Sequence, residues 1–146
     1  MLQLSVAVAS PLLIGPDAES AQWVEQVAKL VNAPWTVLTK TRQGDRDVRV
    51  TLADHGPWPG RVPVLLDDII STGHTLIAAA SALKQIGLEK PVCIGVHALF
   101  DADTLARLLS AGISQVITCD AITHTTNAIE LAPALAQAVR DISSST

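Results

Sequence analysis

Asp67 and Asp68 stand side by side at the end of an apolar run, followed by Ile69-Ile70 and then Ser71-Thr72-Gly73-His74-Thr75. Two adjacent carboxylates can accept hydrogen bonds from vicinal hydroxyls or hold a divalent cation. Successive N–H groups at a helix start, joined by the Ser71, Thr72 and Thr75 hydroxyls, favour a phosphate. Gly73 permits the tight turn between them. The two features together suit a sugar that carries both hydroxyls and a phosphate. Each also has a plain structural role. One acid can cap the turn while the other is solvated, and Ser-Thr-Gly before a helix can be a simple cap. The segment lacks the lysine and the glycine spacing of a Walker loop.

Several elements must position these groups. Val62 to Leu66 is continuously apolar, as in a strand buried on both faces. A helix is predicted from about Thr75 to Ile86, stopped by Gly87. Upstream, Leu12 to Ile14 reads as a short strand ending at Gly15-Pro16. Asp17 is a plausible N-cap for a helix over 18–31, with Trp23, Val24, Val27, Leu30 and Val31 as its apolar stripe. Trp35 to Thr39 and Val48 to Leu52 read as a hairpin around a long, polar, mobile loop from Lys40 to Asp47. His55 to Gly60, HGPWPG, is a loop by composition.

Downstream, Val92 to Ala98 is a second buried strand. Asp101 to Ala111 is a helix with Leu105, Leu108 and Leu109 inward, and Gln115 to Thr118 is a strand. Ile129 to Leu131 is a short last strand. Pro133 suits the first position of a final helix reaching about Ile142, with a frayed SSST tail. Repeated strand–helix–strand units predict a three-layer, doubly wound α/β fold with a mostly parallel sheet. Ligands bind such sheets beyond the carboxyl ends of the strands, where Asp67 and Asp68 lie.

The 146 residues suit a single domain, 1–146, without internal repeat or linker. Hydrophobic residues make up 49% and charged ones 16%, enough for a core and few enough charges for some apolar surface to face a partner. A net charge of −4 argues against a nucleic-acid or membrane-surface binder. Cys93 and Cys119 lack metal-ligand spacing and read as core thiols in a reducing cytosol. Met1 to Ala9 has no basic start typical of a signal peptide. No apolar run reaches the roughly 18 residues of a membrane span.

With these pieces in view, the chain resembles type I phosphoribosyltransferase folds. Within that group it resembles the C-terminal half of ribose-phosphate diphosphokinases, the synthetases of phosphoribosyl diphosphate (PRPP). The matching pieces are GPDAES at Gly15 to Ser20, KTR at Lys40 to Arg42, the DDIISTG loop, VHALF at Val96 to Phe100 and ITCDAITH at Ile117 to His124. The resemblance implies that Asp67 and Asp68 hold the ribose hydroxyls of ribose 5-phosphate. Ser71, Thr72, Gly73 and Thr75 would cradle its 5-phosphate, with His74 beside them. Lys40 and Arg42 would ride on the flexible catalytic loop and stabilise the diphosphoryl group in transfer from MgATP. Asp17 would help hold the Mg2+ that bridges the phosphates. The implied protein is cytoplasmic, belongs to nucleotide biosynthesis and assembles as a homo-oligomer at full length.

Some positions depart from that pattern. The family often has Asp where Ser71 stands, and a small residue where His74 stands. Its late Thr-Asn-Thr appears as Cys119-Asp120-Ala121, where Asp120 brings a negative charge towards an expected phosphate. His97, at a strand end, reads as structural, while His55 and His124 have no assigned role. Full members are about twice as long, and Met1 to Ser10 resembles only the end of the connection between their halves. Two alternatives follow: a non-catalytic, synthetase-like binding or regulatory module, and a base phosphoribosyltransferase. The second needs a hood for the base, and no segment of the chain suggests one.

Overall fold

The computed structural model describes residues 8 to 44, 47 to 53 and 56 to 144. The expectations for the first residues, for Asp45, for His55 and for the last two residues lie outside these. The chain runs β1 (Pro11–Gly15), α1 (Ala21–Val31), β2 (Trp35–Gln43), β3 (Asp47–Leu52), β4 (Val62–Ile70), α2 (His74–Gln85), β5 (Val92–Ala98), α3 (Ala102–Ser110), β6 (Gln115–Cys119), β7 (Asn127–Ile129) and α4 (Ala132–Ser144). The strands form one sheet in the order β3-β2-β1-β4-β5-β6-β7. Every neighbouring pair is parallel except β2 with β3.

Side chains of a strand alternate between faces, and β1 and β4 show what that does here. Leu12, Ile14 and Leu65 pack with Leu76, Ala79 and Leu83 of α2 and with Leu108 of α3. Leu13, Val64 and Leu66 pack on the opposite face with Val24 and Ala28 of α1. Helices therefore cover both faces, and the continuously apolar stretch of β4 is buried twice over. Burying a leucine or valine fully stabilises by about 1.5–3 kcal/mol, so these central strands hold the frame. The chain leaves β1 in one direction towards β2 and returns on its other side as β4. The sheet therefore has its topological switch point between β1 and β4.

Several boundaries differ from those the sequence predicts. Helix α1 starts at Ala21 with Ser20 at its N-cap position; Asp17 sits a turn earlier and accepts from the Ser20 N–H at 2.9 Å. In the same helix Leu30 is 87% exposed, so the expected apolar stripe is buried only in its first half. Leu109 of α3 is likewise exposed, while Leu108 is buried. Helix α2 begins at His74, one residue before Thr75. The last strand precedes Glu130, and the final helix continues through Ser143 and Ser144, whose hydroxyls bond the Val139 and Arg140 carbonyls. Pro133 is then the second residue of that helix, still within the first turn.

Cys93 and Cys119 are both buried and free. Burial, and then the nearby charge of Asp67, push the Cys93 thiol far above its usual range. Among the described residues no helix is long and apolar enough to cross a membrane.

Candidate functional site

Two strands overrun their neighbour at the carboxyl edge of the sheet. β1 pairs with β4 as far as Ile14 with Leu65, and with β2 as far as Gly15 with Val37. β4 then continues to Ile70 against β5 alone, and β2 continues to Gln43 against β3 alone. The short β1 thus leaves a notch between two longer strands, about 10 Å across from two strand spacings. At its floor, Gly15 is a close-approach position, because a Cβ there would meet the Ser20 Oγ. Asp17 follows immediately. Asp67 and Asp68 lie on the β4 wall, Lys40 and Arg42 on the β2 wall.

The β4 wall corrects one expectation. The strand does not stop at Leu66 but carries both acids within it, because Ile69 and Ile70 still pair with His97 and Ala98 of β5. The buried Ile70 anchors that extension. Asp67 Oδ1 accepts from the Asp68 N–H at 3.0 Å, and Asp68 Oδ1 from the Ile69 N–H at 2.9 Å. Asp67 is raised from 3.8 to about 6, first by burial, then by side-chain hydrogen bonding with and charge repulsion from Asp68, against the lowering by the Asp68 N–H, with a further push from Asp17.

Beyond β4, the chain turns sharply into α2. Gly73 occupies the N-cap position with φ +76°, in the left-handed region. A Cβ there would come within 3.1 Å of Leu108 Cδ2 and 3.3 Å of Thr104 Cγ2, so the turn is packed against α3. The Gly73 carbonyl accepts the first helical bond, from the Ile77 N–H at 2.9 Å. Among the described residues nothing accepts from the N–H groups of Ser71, Thr72 or Gly73. The exposed His74 directs its N–H at Thr72 Oγ1, 3.5 Å away. Ser71, Thr72 and His74 line a shallow cavity of about 400 Å³, closed on the other side by Leu99 to Asp101, Thr104 and Arg107.

The β2 wall corrects another expectation. Lys40 to Asp47 is predicted as a long mobile loop, yet Lys40 pairs with Val50 and Arg42 with Val48 in a regular ribbon. Thr39 Oγ1 lies 3.1 Å from Thr51 Oγ1 across the pair, a β-branched contact suited to a pleated surface. Polarity here reflects a two-sided, solvated ribbon rather than a loop. Both Lys40 and Arg42 are exposed.

The late loop is occupied by structural work. Asp120 turns its carboxylate to the start of α4, accepting from the Leu131 N–H at 2.9 Å. His124 Nε2 lies 2.9 Å from the Phe100 carbonyl and Nδ1 lies 2.8 Å from Thr126 Oγ1, with the ring against Phe100. A donating Nε2–H and an accepting Nδ1 satisfy both contacts, including the Thr126 N–H at 3.2 Å. His124, without assignment from the sequence, thus ties the β6–β7 turn to the β5–α3 turn. His97 is exposed near the end of β5. Arg107, which no sequence motif singles out, enters through α3. Asp101 sets the register of that helix by capping Thr104 at 2.8 Å, and Arg107 follows one turn later.

A phosphoribosyl transferase domain family model matches residues 8–137. The chain belongs to the phosphoribosyl transferase domain family. It is similar to ribose-phosphate pyrophosphokinase from Neisseria meningitidis, with 32% identity over 139 residues, covering 90% of this chain and 42% of that protein. The same enzyme from Sulfurisphaera tokodaii is 27% identical over 141 residues, covering 94% and 48%. The chain spans about half the length of these curated relatives. Among solved structures, phosphoribosylpyrophosphate synthetase from Mycobacterium smegmatis matches with TM-score 0.70 and 23% identity, over 94% of this chain and 46% of that one. APRTase from Giardia lamblia matches with TM-score 0.60 and 15% identity, over 78% and 70%. These two establish the type I phosphoribosyltransferase fold.

Proposed function

We propose that this chain is the ribose 5-phosphate half of a ribose-phosphate diphosphokinase. The observation that carries this reading is the β4–α2 turn: a carboxylate pair on a strand edge, followed by three N–H groups at a helix start, the edge and the N–H groups both without partners among the described residues. Asp67 and Asp68 accept from the ribose hydroxyls, while Ser71, Thr72, Gly73 and Thr75 take the 5-phosphate at the positive end of the α2 dipole. His74 borders that phosphate site. Lys40 and Arg42, on the β2 wall of the notch, stabilise the charge of the diphosphoryl group that moves from ATP to the sugar O1, with AMP leaving. The sugar O1 hydroxyl loses its proton to water and bonds the β-phosphorus as the bond from that phosphorus to the oxygen shared with the α-phosphate breaks; that oxygen leaves with AMP, and the product is PRPP.

Mg2+ would neutralise phosphate charge in that transfer. No group of three or more metal-ligating side chains is found among the described residues. Such a cluster is not required, since Mg2+ is commonly held by one or two carboxylates together with substrate phosphates. Asp17 fits that donor set, with Oδ1 accepting from the Ser20 N–H and Oδ2 without a partner among the described residues. The relatives are about twice as long, so the ATP side of the reaction falls to a second half, and this chain alone should turn over little. Exposed Leu135, Val139 and Ile142 along α4 are compatible with association at full length.

Calorimetry with ribose 5-phosphate, PRPP and free purine and pyrimidine bases tests the assignment. Binding of the sugar phosphate, weakened at least ten-fold by Asp67→Ala, is expected. No sugar-phosphate binding, or binding indifferent to Asp67→Ala, sinks it. Release of diphosphate from PRPP only when a base is added would favour a base phosphoribosyltransferase instead.

A further inference from the structure

We infer that Arg107 is a positioning residue for the phosphate cradle, an inference that rests on the function proposed for the β4–α2 turn. Arg107 Nη2 donates to Thr104 Oγ1 at 3.0 Å and to the Thr72 carbonyl at 3.4 Å. The first contact anchors it. Thr104 is 5% exposed, and its N–H is held by the Asp101 cap. The second contact reaches from that anchor across to the turn. One guanidinium nitrogen carries two N–H donors in a fixed plane, so it can serve both oxygens together.

The consequence for the cradle follows from peptide geometry. A trans peptide holds its C=O and N–H on opposite sides. A Thr72 carbonyl turned to Arg107 therefore turns the Gly73 N–H away from α3. Gly73 is the residue of the turn with the greatest backbone freedom, at φ +76°. Without the guanidinium, the 72–73 peptide can rotate and present its carbonyl oxygen to a phosphate in place of a donor. The role is exerted through the Thr72–Gly73 peptide and requires no direct contact with substrate.

Selective 15N-glycine labelling resolves the eight glycines and reads the Gly73 amide directly. In Arg107→Ala without ligand, the Gly73 resonance should shift or broaden while the unfolding midpoint stays unmoved. The dissociation constant for ribose 5-phosphate should rise about ten-fold. Arg107→Lys should recover part of the affinity. If Arg107→Ala lowers the unfolding midpoint, Arg107→Gln carries the same test with more of the stem retained. A Gly73 resonance and an affinity both unchanged by the substitution overturn the inference. Where the unsubstituted chain binds ribose 5-phosphate and Asp67→Ala weakens that binding, indifference to Arg107→Ala defeats Arg107 alone. Where the unsubstituted chain binds no sugar phosphate, the proposed function fails first, and a Gly73 amide that responds to Arg107→Ala leaves Arg107 only a structural hold on the turn.

Discussion

The two walls of the notch are built in opposite ways. The β4 wall is embedded: β5 pairs it, Ile70 roots it in the core, and α3 packs against its turn through Leu108 and Thr104. The β2 wall beyond Val37 pairs with β3 alone; Leu38, Leu52 and Val50 still pack on the core at its base, while Lys40 and Arg42 are exposed. An isolated two-stranded ribbon is only marginally stable in water. The difference matches the two tasks that the proposed function gives these walls. Hydroxyls and phosphate must be held in one geometry, which needs fixed donors and acceptors. Charge that develops during transfer needs cations that can follow it, and long side chains on a lightly supported ribbon provide that.

Separating the tasks by substitution tests this contrast. The largest effect is expected from Lys40→Ala, measured as AMP release after the chain is supplied with the N-terminal half of a relative. Turnover should fall by about 10²-fold or more. Ribose 5-phosphate binding and the unfolding midpoint should hold. Loss of sugar binding together with turnover would mean that the ribbon belongs to the binding wall.

Gly73→Ala attacks the embedded wall. The added Cβ meets Leu108 and forces a left-handed alanine, so about 1–2 kcal/mol of stability and at least ten-fold in sugar-phosphate affinity should be lost. Chemical denaturation and calorimetry read these two losses. A neutral result would show that the turn tolerates rearrangement and is not fixed.

The smallest effect concerns pH. Asp67 titrates at about 6 in the folded chain and at 3.8 ordinarily, so the folded state binds its proton more tightly. Its contribution to stability is fully present below about pH 4 and is lost as pH rises through about 6. Relative to Asp67→Asn, the unsubstituted chain should therefore weaken between pH 4 and pH 7, by about 1 kcal/mol once partial exposure is allowed for. Urea unfolding across that range measures it. A difference independent of pH would remove the burial and repulsion assigned to this wall.

The local pattern of residues was enough to anticipate much of the frame. Continuous apolar runs such as Val62 to Leu66 must be buried on both faces, and that demands helices on both sides and a mostly parallel sheet. The acids and the Ser71 to Thr75 turn were likewise visible, because adjacent residues carry their chemistry together. Chain ends of elements were not. Polar Lys40 to Arg42 looked like a loop because side-chain polarity cannot tell a solvated ribbon from an irregular segment. Pairing across to Val48 and Val50 decides between them. Asp120 looked like a charge near a phosphate, yet its partner is the start of α4, eleven positions along the chain.

What followed from residue order alone was therefore the strand–turn–helix unit and the classes of group it presents, since those depend on neighbours within a few positions. The notch depends on three strands ending at different heights, β1 before β2 and β4. The grip of Arg107 on Thr72 spans 35 positions. Both arise only when distant segments pack side by side, because unequal strand lengths and a side chain's reach acquire meaning from what lies next to them in space.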